Sequence, residues 1–303
     1  MDLALGVDVG GTKMAAGLVT AEGELVTSAT SPTPRHADAE TLFSVLLALV
    51  DAVGGGSAAA EPPRGRRAGS GGGEVVVCGV GCGGPMTRGG EEVSPLNIPG
   101  WRRFPLRARL ASATGLPTFV DNDAKALALG EGWRGAAAGV DNFIAMVVST
   151  GVGGGIVLDG RLLDGESGNA GHIGHVIVEP EGRVCACGGR GCLEAEASGL
   201  AIAAATGRPA AEADPPTVAR AATLVGRAVA SVANLLDLRL AVVGGSVALG
   251  LGDPFFAAAQ AELDARARLD FSAGARIVPV GLGGDGPLVG AGAVGWRGLR
   301  GSS

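Results

Sequence analysis

Short apolar runs alternate with glycine-containing turns along much of this chain. Residues 3–27, LALGVDVGGTKMAAGLVTAEGELVT, predict an apolar strand, a Gly-Gly turn, a second strand, an EG turn and a third strand. Residues 143–163, FIAMVVSTGVGGGIVLDGRLL, predict the same order of strands and turns. Because the two segments lie about half a chain apart, we interpret them as an internal repeat. The pattern therefore indicates two similar α/β halves, with a ligand cleft where strand ends meet.

The rest of the chain predicts alternating helices and strands. Helices are expected near 37–53, from the end of the strand at 118–124 through 134, near 196–206, at 216–236, at 254–267 and from about 287. Strands are expected at 75–80, 118–124, 240–247 and 276–280. We interpret the Gly, Pro and Arg-rich stretch 54–73 as a mobile surface loop, with a domain linker as the alternative. The chain is thus predicted to be an α/β protein.

The composition restricts the possible classes of protein. At 303 residues, the chain is long enough for two domains with separate cores. A net charge of −6 and an aromatic content of 3% argue against a nucleic-acid partner. No apolar run reaches the roughly 18 residues of a membrane span, and Met1 is followed by Asp2 rather than by a basic leader. We therefore expect a cytoplasmic protein without nucleic-acid or membrane partners.

Three glycine-rich turns follow predicted strands and offer backbone N–H groups to phosphate oxygens. The first, DVGGTK at 8–13, adds a carboxylate for a Mg²⁺ shell, a hydroxyl and a cation; the second, STGVGGG at 149–155, adds two hydroxyls. The third, VVGGS at 242–246, could accommodate a nucleoside. Each alone is equally consistent with a tight hairpin turn. At equivalent places in a repeat, the first two favour a nucleoside triphosphate bound between two lobes.

The tripeptide Asp121–Asn122–Asp123 follows an apolar strand, so its side chains are expected at the end of that strand. Phosphoryl transfer to a hydroxyl needs a base near the attacking oxygen, together with Mg²⁺ and phosphate-binding groups. One of the aspartates can be that base. The alternative is an ordinary helix N-cap, which needs only one such residue.

Three of the five cysteines lie within eight positions, in GRVCACGGRGCLE at 182–194, and two of the three histidines lie just upstream in GHIGH. The spacing C-x-C-x₄-C does not match the C-x-x-C of dithiol oxidoreductases. A structural zinc ion takes four nitrogen or sulfur ligands, and cytoplasmic thiols stay reduced. The cluster therefore favours a metal site completed by a histidine. Separately buried thiols are the alternative.

Together these motifs resemble the ROK family of bacterial sugar kinases and repressors, in the hexokinase-like branch of the actin-type ATPase fold. The resemblance covers nearly the whole chain and rests on GVDVGGTKMAAGLV, GVGCGGPM, VDNDAKALALGE, STGVGGGIV, GHIGH and CACGGRGCLE. It implies a two-lobed, ribonuclease H-like α/β fold with a cleft between the lobes. We assign residues 1–118 to a small lobe, on which a helix at about 287–303 packs, and residues 119–286 to a large lobe with the zinc motif.

The resemblance also implies roles for individual residues, with Asp123 as the catalytic base. The implied substrate-binding residues are Gly84, Asn122, Asp123, His172, His175 and Glu194. The implied nucleotide-binding residues are Asp8, Gly10, Gly11, Thr12, Lys13, Thr150, Gly151, Gly153, Gly244 and Gly245. The implied metal ligands are His175, Cys185, Cys187 and Cys192. The expected cofactors are ATP, Mg²⁺ with the ATP, and a structural Zn²⁺ that braces a loop presenting sugar ligands.

One position departs from the common family pattern. Many members have Glu where this chain has His172, and a histidine there also resembles the N-acetylmannosamine kinases of the family. Each ring nitrogen of a histidine makes one hydrogen bond, whereas a carboxylate accepts several. The position therefore does not decide which sugar hydroxyls are contacted, and glucose and N-acetylmannosamine are the alternative substrates.

We expect ATP-dependent phosphorylation of a hexose at its 6-hydroxyl, with glucose first because that activity is broad in the family. The alternative of another class is a non-catalytic, sugar-sensing regulator. A repressor is disfavoured because the first phosphate turn begins at Gly6, which leaves no room for a DNA-binding module ahead of it. Polyphosphate-using relatives lack the cysteine cluster, which favours ATP as the donor. A homodimer or homotetramer is expected.

Overall fold

The computed structural model describes residues 1–54, 66–67 and 73–301. Its first sheet contains β1 (Asp2–Val9), β2 (Lys13–Thr20), β3 (Leu25–Pro32), β4 (Arg66–Arg67), β5 (Glu74–Cys82) and β6 (Thr118–Asn122). Its second sheet contains β7 (Phe143–Val148), β8 (Val152–Leu158), β9 (Arg161–Leu162), β10 (Leu240–Gly244) and β11 (Arg276–Pro279). The α-helices are α1 (Ala39–Gly54), α2 (Leu106–Thr114), α3 (Asp123–Arg134), α4 (Leu193–Ala197), α5 (Gly199–Thr206), α6 (Pro215–Leu236), α7 (Ser246–Arg266) and α8 (Gly286–Arg300).

The two sheets repeat one strand order, which confirms the internal repeat. The first sheet has the order β3-β2-β1-β5, and β4 and β6 both pair with β5; the second has the order β9-β8-β7-β10-β11. In each sheet the first three strands form an antiparallel meander. The first strand of each meander then pairs in parallel with a later strand. The predicted α/β class is therefore confirmed.

The first sheet is covered by helices. Nearly every side chain of β1 is buried, as expected for a strand covered on both faces. Helix α1 packs on β2 and β3, and α8 packs on β1 and β5. A Cβ added to Gly79 of β5 would lie 1.9 Å from the carbonyl oxygen of Ala291 in α8. Glycine is needed at this position because the backbones of strand and helix touch.

The second sheet has a hydrophobic core of its own, in which Met146, Val225 and Phe255 are fully buried. Helices α6 and α7 pack against each other beside this sheet. Helix α6 begins at Pro215 because the side chain of Asp214 accepts a hydrogen bond from the backbone N–H of Thr217 at 2.9 Å. Truncating Phe255 to Ala would cost about 3–5 kcal/mol of stability.

The chain divides into two compact units. The first contains Met1–Arg134, Asp164–Asn169 and Gly284–Ser303, and the second contains Gly135–Leu163 and Ala170–Gly283. These limits differ from the expected change at 118/119, because β6 pairs with β5 of the first sheet and α3 follows β6 directly. The assignment of residues 1–118 and 119–286 to a small and a large lobe stays a prediction.

Some elements differ from the sequence-based expectations. The helix expected at 196–206 is two helices, α4 and α5, which meet at Ser198. Helix α7 begins at Ser246, although a strand was expected up to 247. Helix α2 was not predicted. The loop expected at 54–73 lies outside the described residues except for the end of α1, the two residues of β4 and Gly73.

Among the described residues, no helix has both the length and the apolar character that crossing a lipid bilayer requires.

Candidate active site

Three parallel strands of the first unit, β1, β5 and β6, end side by side. Asp8 of β1 lies opposite Gly81 of β5, and Gly81 lies opposite Asp121 of β6. The carboxyl ends of parallel strands are the usual ligand-binding edge of α/β sheets. The structure therefore brings Asp8 and the tripeptide 121–123 to one edge of the first sheet, as the sequence analysis expected for the tripeptide.

Asp8 and Asp123 both lie close to Gly81. A Cβ added to Gly81 would lie 3.6 Å from Cα of Asp123 and 3.8 Å from Oδ1 of Asp8. Burial, followed by the charge of Asp123, raises the pKa of Asp8 from 3.8 to about 7, while the ammonium of Lys13 acts in the opposite direction. A bound divalent cation would favour the ionised form of this carboxyl group.

The three residues of the tripeptide have different partners. The backbone N–H of Ala124 donates to Asn122 Oδ1 at 3.0 Å and to Asp123 Oδ1 at 2.8 Å, which satisfies one free donor at the start of α3. A Cβ added to Gly83 would lie 3.9 Å from the other oxygen of Asp123, Oδ2. Helix capping is thus one role of this segment, and it uses only one oxygen of Asp123.

Asp121 belongs to a network of ion pairs that sequence analysis missed. Lys125 is almost fully buried, and its Nζ lies 3.1 Å from Asp121 Oδ1 and 2.7 Å from Asp164 Oδ1. Arg297 of α8 lies 3.0 Å from Asp164 and 3.7 Å from Asp121. The network fixes the segment Asp164–Asn169 to the first unit. Burial raises the pKa of Asp121, although Lys125 acts in the opposite direction, and its carboxylate is held in the network by Lys125 and Arg297.

The first glycine turn, Gly10–Thr12, joins β1 to β2 in the first unit. The N–H of Gly10 donates to the carbonyl oxygen of Lys13 at 3.0 Å, whereas the N–H groups of Gly11 and Thr12 make no hydrogen bond to described residues. A Cβ added to Gly11 would lie 2.7 Å from Cβ of Asn97. Glycine at this position is therefore required by the packing of Asn97 on the turn.

The second glycine turn, Ser149–Gly151, joins β7 to β8 in the second unit. The N–H groups of Thr150 and Gly151 have no acceptor among the described residues. The end of β10 lies beside the end of β7, since Gly244 pairs with Val147. Gly245 follows with φ of +97°, and a Cβ there would lie 2.4 Å from the carbonyl oxygen of Val148.

The start of α7 adds a contact to the second glycine turn. Ser246 begins this helix, and its Oγ lies 2.9 Å from Oγ of Ser149. The second and third glycine-rich turns of the sequence analysis are therefore neighbours, and both lie at the carboxyl edge of the second sheet. N–H groups at such an edge and at a helix start attract anions.

The GHIGH loop packs directly on β8. A Cβ on Gly171, whose φ is +100°, would lie 2.5 Å from the carbonyl oxygen of Gly154, and a Cβ on Gly174 would lie 2.2 Å from that of Val152. The two glycines permit this close packing, because any side chain at either position would meet the backbone of β8. The rings of His172 and His175 are 6.1 Å apart between centroids.

The four predicted metal ligands lie together in the second unit. The ligand atoms of His175, Cys185, Cys187 and Cys192 all lie within 4.8 Å of one another. Cys187 Sγ is 3.8 Å from Cys192 Sγ, and Cys185 Sγ is 3.7 Å from Nδ1 of His175. A tetrahedral zinc ion with Zn–S bonds of about 2.3 Å needs ligand atoms about 3.8 Å apart. The donor set and its spacing therefore fit zinc.

Two glutamates follow the last cysteine on α4. Oε2 of Glu194 accepts a hydrogen bond from the backbone N–H of Val152 at 2.9 Å. Glu196 is buried and accepts from the N–H of Arg183 and from Arg220. Although burial raises the pKa of Glu196, those two hydrogen bonds hold it below its usual value. Glu196 thereby ties the start of the cysteine loop to α4.

The predicted site residues fall into two groups. The first unit contains Asp8, Gly10, Gly11, Thr12, Lys13, Gly84, Asn122 and Asp123; the second contains Thr150, Gly151, Gly153, His172, His175, Cys185, Cys187, Cys192, Glu194, Gly244 and Gly245. Within the first unit, Asp8 and Asp123 are neighbours. Within the second, the glycine turns, the GHIGH loop and Glu194 all contact β7, β8 or the turn between them. Sequence analysis gave no role to Asn97, Lys125, Ser246 and Glu196. Lys125 and Ser246 lie within quoted motifs and Glu196 lies two residues after one, whereas Asn97 has no sequence signal.

Comparisons with known proteins agree with this architecture. The model of the ROK family matches residues 4–295. The N-acetylmannosamine kinase of Escherichia fergusonii is 37% identical over 265 residues, which are 82% of this chain and 84% of that protein. The ROK hexokinase of Thermus thermophilus is 33% identical and superimposes with a TM-score of 0.81 over 98% of this chain and 99% of that one.

A second solved structure is similar in both sequence and fold. The ROK family glucokinase of Streptomyces griseus, in complex with glucose and AMPPNP, is 30% identical, with a TM-score of 0.80 over 97% of this chain and 99% of that chain. The fold and the comparisons define the class of this protein as a sugar kinase, an enzyme that transfers a phosphoryl group to an alcohol. Within that class, the chain belongs to the ROK family.

Proposed function

We propose that this sugar kinase transfers the γ-phosphoryl group of ATP to the 6-hydroxyl of a hexose. The proposal rests on one observation. Asp8, Asp123 and the first glycine turn lie close together at one edge of the first sheet. The similar Streptomyces griseus glucokinase, whose structure contains glucose and AMPPNP, supports ATP as the donor.

Each of these groups has a role that suits its chemistry. Asp123 would take the proton of the attacking hydroxyl, and Asn122 would orient the sugar beside it. Asp8 would hold Mg²⁺, whose charge offsets the cost of ionising a buried carboxyl group. Lys13 and the N–H groups of the first glycine turn would bind phosphate oxygens, and the N–H groups of the second turn offer the same chemistry within the second unit. Thr12 and Lys13 are exposed at the first turn, as this role requires.

The Cys₃His cluster would hold a structural zinc ion in the second unit. His175 of the GHIGH loop and the three cysteines of the loop that continues into α4 would be its ligands, and the ion would link the two loops. Because Cys185 faces Nδ1 of His175, this nitrogen is the candidate ligand atom. Elemental analysis of protein purified without chelator is expected to find about one zinc per chain, and Cys187→Ser is expected to release it.

For the sugar, we propose N-acetylmannosamine first and glucose second, the reverse of the order expected from family breadth. The relative that is an N-acetylmannosamine kinase is 37% identical, against 30% for the glucokinase. His172 is exposed beside His175, where a ring nitrogen can bond to a hydroxyl or an N-acetyl group. The similarity to the glucokinase keeps glucose as the second candidate.

An assay of ADP release tests the proposal over glucose, mannose, fructose, allose, N-acetylglucosamine and N-acetylmannosamine. We expect the largest kcat/KM with N-acetylmannosamine and a smaller value with glucose, and we expect Asp123→Asn to lower turnover strongly with every sugar. Sugar binding without ADP release in the unaltered protein would instead indicate a sensor. A cytoplasmic location and a homodimer or homotetramer stay predictions.

A further inference from the structure

The segment that follows the last cysteine contacts the second glycine turn at three points. Glu194 Oε2 accepts from the N–H of Val152 at 2.9 Å. The N–H of Gly199 donates to the carbonyl oxygen of Ser149 at 2.7 Å, and that of Leu200 donates to the carbonyl oxygen of Thr150 at 3.4 Å. One short segment, 194–200, therefore supports both ends of the turn.

The carboxylate of Glu194 is packed closely against the turn. A Cβ added to Gly151 would lie 2.7 Å from Glu194 Oε2. This oxygen accepts its hydrogen bond from the backbone N–H of Val152, a buried residue. Leaving a buried donor unpaired costs about 1–3 kcal/mol, so losing this acceptor would favour a different conformation of the turn.

We infer that Glu194 is a positioning residue for the second glycine turn, where it keeps the N–H groups of Thr150 and Gly151 directed at a bound phosphate. The inference rests on the proposed function, in which this turn binds nucleotide. It adds a role to Glu194, for which the family resemblance implied only contact with sugar hydroxyls. It also connects the metal cluster to nucleotide binding, because Cys192 is the N-cap of the helix that carries Glu194.

The negative charge of Glu194 has an effect of opposite sign, because it repels a triphosphate near the turn. Two substitutions separate the hydrogen bond from the charge. Glu194→Gln removes the charge and keeps an oxygen acceptor, whereas Glu194→Ala removes both. The difference in nucleotide affinity between these two variants therefore measures the effect of losing the acceptor, apart from the effect of losing the charge.

The test is the Kd of Mg·AMPPNP measured by calorimetry without sugar, so that lost sugar contacts do not contribute. We expect Glu194→Ala to bind about tenfold more weakly than Glu194→Gln, which corresponds to about 1.4 kcal/mol. The matched controls are Glu181→Ala and Glu181→Gln, at an exposed glutamate of the same unit, and they are expected to leave Kd unchanged. Thermal melting and zinc content establish that each variant is folded and loaded.

Equal Kd values for the Ala and Gln variants would overturn the inference, provided that the unaltered protein binds Mg·AMPPNP. If the unaltered protein itself does not bind, the proposed function of the turn fails instead. A second arm removes the metal with Cys187→Ser and is expected to weaken nucleotide binding to a similar extent. Unchanged nucleotide affinity in zinc-free protein would overturn the connection to the metal cluster.

Discussion

The first and second glycine turns have the same place in their sheets, but they are supported in different ways. Each joins the first two strands of a meander, and each has two N–H groups without an acceptor among the described residues. The first turn packs against Cβ of Asn97, an atom held close to the backbone. The second packs against the end of a flexible glutamate side chain.

Their surroundings differ in chemistry as well. The first turn lies in the unit that contains Asp8 and Asp123, the two carboxyl groups that we propose for Mg²⁺ binding and proton transfer. The second turn lies in the unit that contains the Cys₃His cluster and the GHIGH loop. The two halves thus share one glycine-turn element at the same place in their sheets, while the residues around it differ.

The largest expected effect is the loss of kcat when the proposed base in the first unit is replaced. Asp123→Asn should keep the fold and most of the sugar affinity but lower kcat by about two to four orders of magnitude, because the amide is not a base. Asp121→Asn is the matched control, and we expect it to reduce stability mainly, because it removes a partner of Lys125. Near-normal turnover in Asp123→Asn, together with a large loss in Asp121→Asn, would transfer the role of base to Asp121.

The next effect concerns the cost of ionising Asp8. Its pKa in the folded protein, about 7, lies above the ordinary 3.8, so the folded state binds the proton more tightly and loses stability as pH rises between these values. A shift of about three units corresponds to at most about 4 kcal/mol. Asp8→Asn should therefore raise the melting temperature at pH 8 and change it little at pH 4, while lowering kinase activity.

Ligand-free thermal melts of both proteins, without Mg²⁺, check this expectation for Asp8. If Asp8→Asn melts at a lower temperature than the unaltered protein at pH 8, the expected direction of the effect is wrong.

Two further substitutions test directly how differently the two turns are supported. Gly11→Ala should cost about 1–3 kcal/mol, because Cβ of Asn97 cannot move away without the backbone. Gly151→Ala should cost less, because the end of the flexible Glu194 side chain can shift aside while its carboxylate still accepts from the N–H of Val152. Chemical denaturation measures both, and Asn97→Gly should restore much of the stability of Gly11→Ala. Equal costs at the two turns would contradict the asymmetry.

Sequence analysis identified the hairpin repeat, the acidic strand end and the cysteine cluster because each is a local pattern. It missed contacts between residues far apart in the chain, such as Asn97 on Gly11 and Lys125 with Asp164, because no short spacing signals them. The helix expected at 254–267 begins earlier, at Ser246. In the structure the helix includes Pro254 and is interrupted at Gly252, where φ is +62°.

The smallest expected effect concerns substrate choice in the second unit. His172 precedes a short helical turn, Ile173–His175, and the tight packing of Gly171 and Gly174 on β8 fixes its backbone. A site built for one polar group discriminates against substrates that leave that group unpaired. His172→Glu should therefore shift the ratio of kcat/KM for glucose over N-acetylmannosamine about tenfold toward glucose, equivalent to about 1.4 kcal/mol or one good hydrogen bond. Both sugars are assayed on both proteins, with ATP saturating. An unchanged ratio, with both rates reduced equally, would make His172 a structural residue and place sugar selection elsewhere.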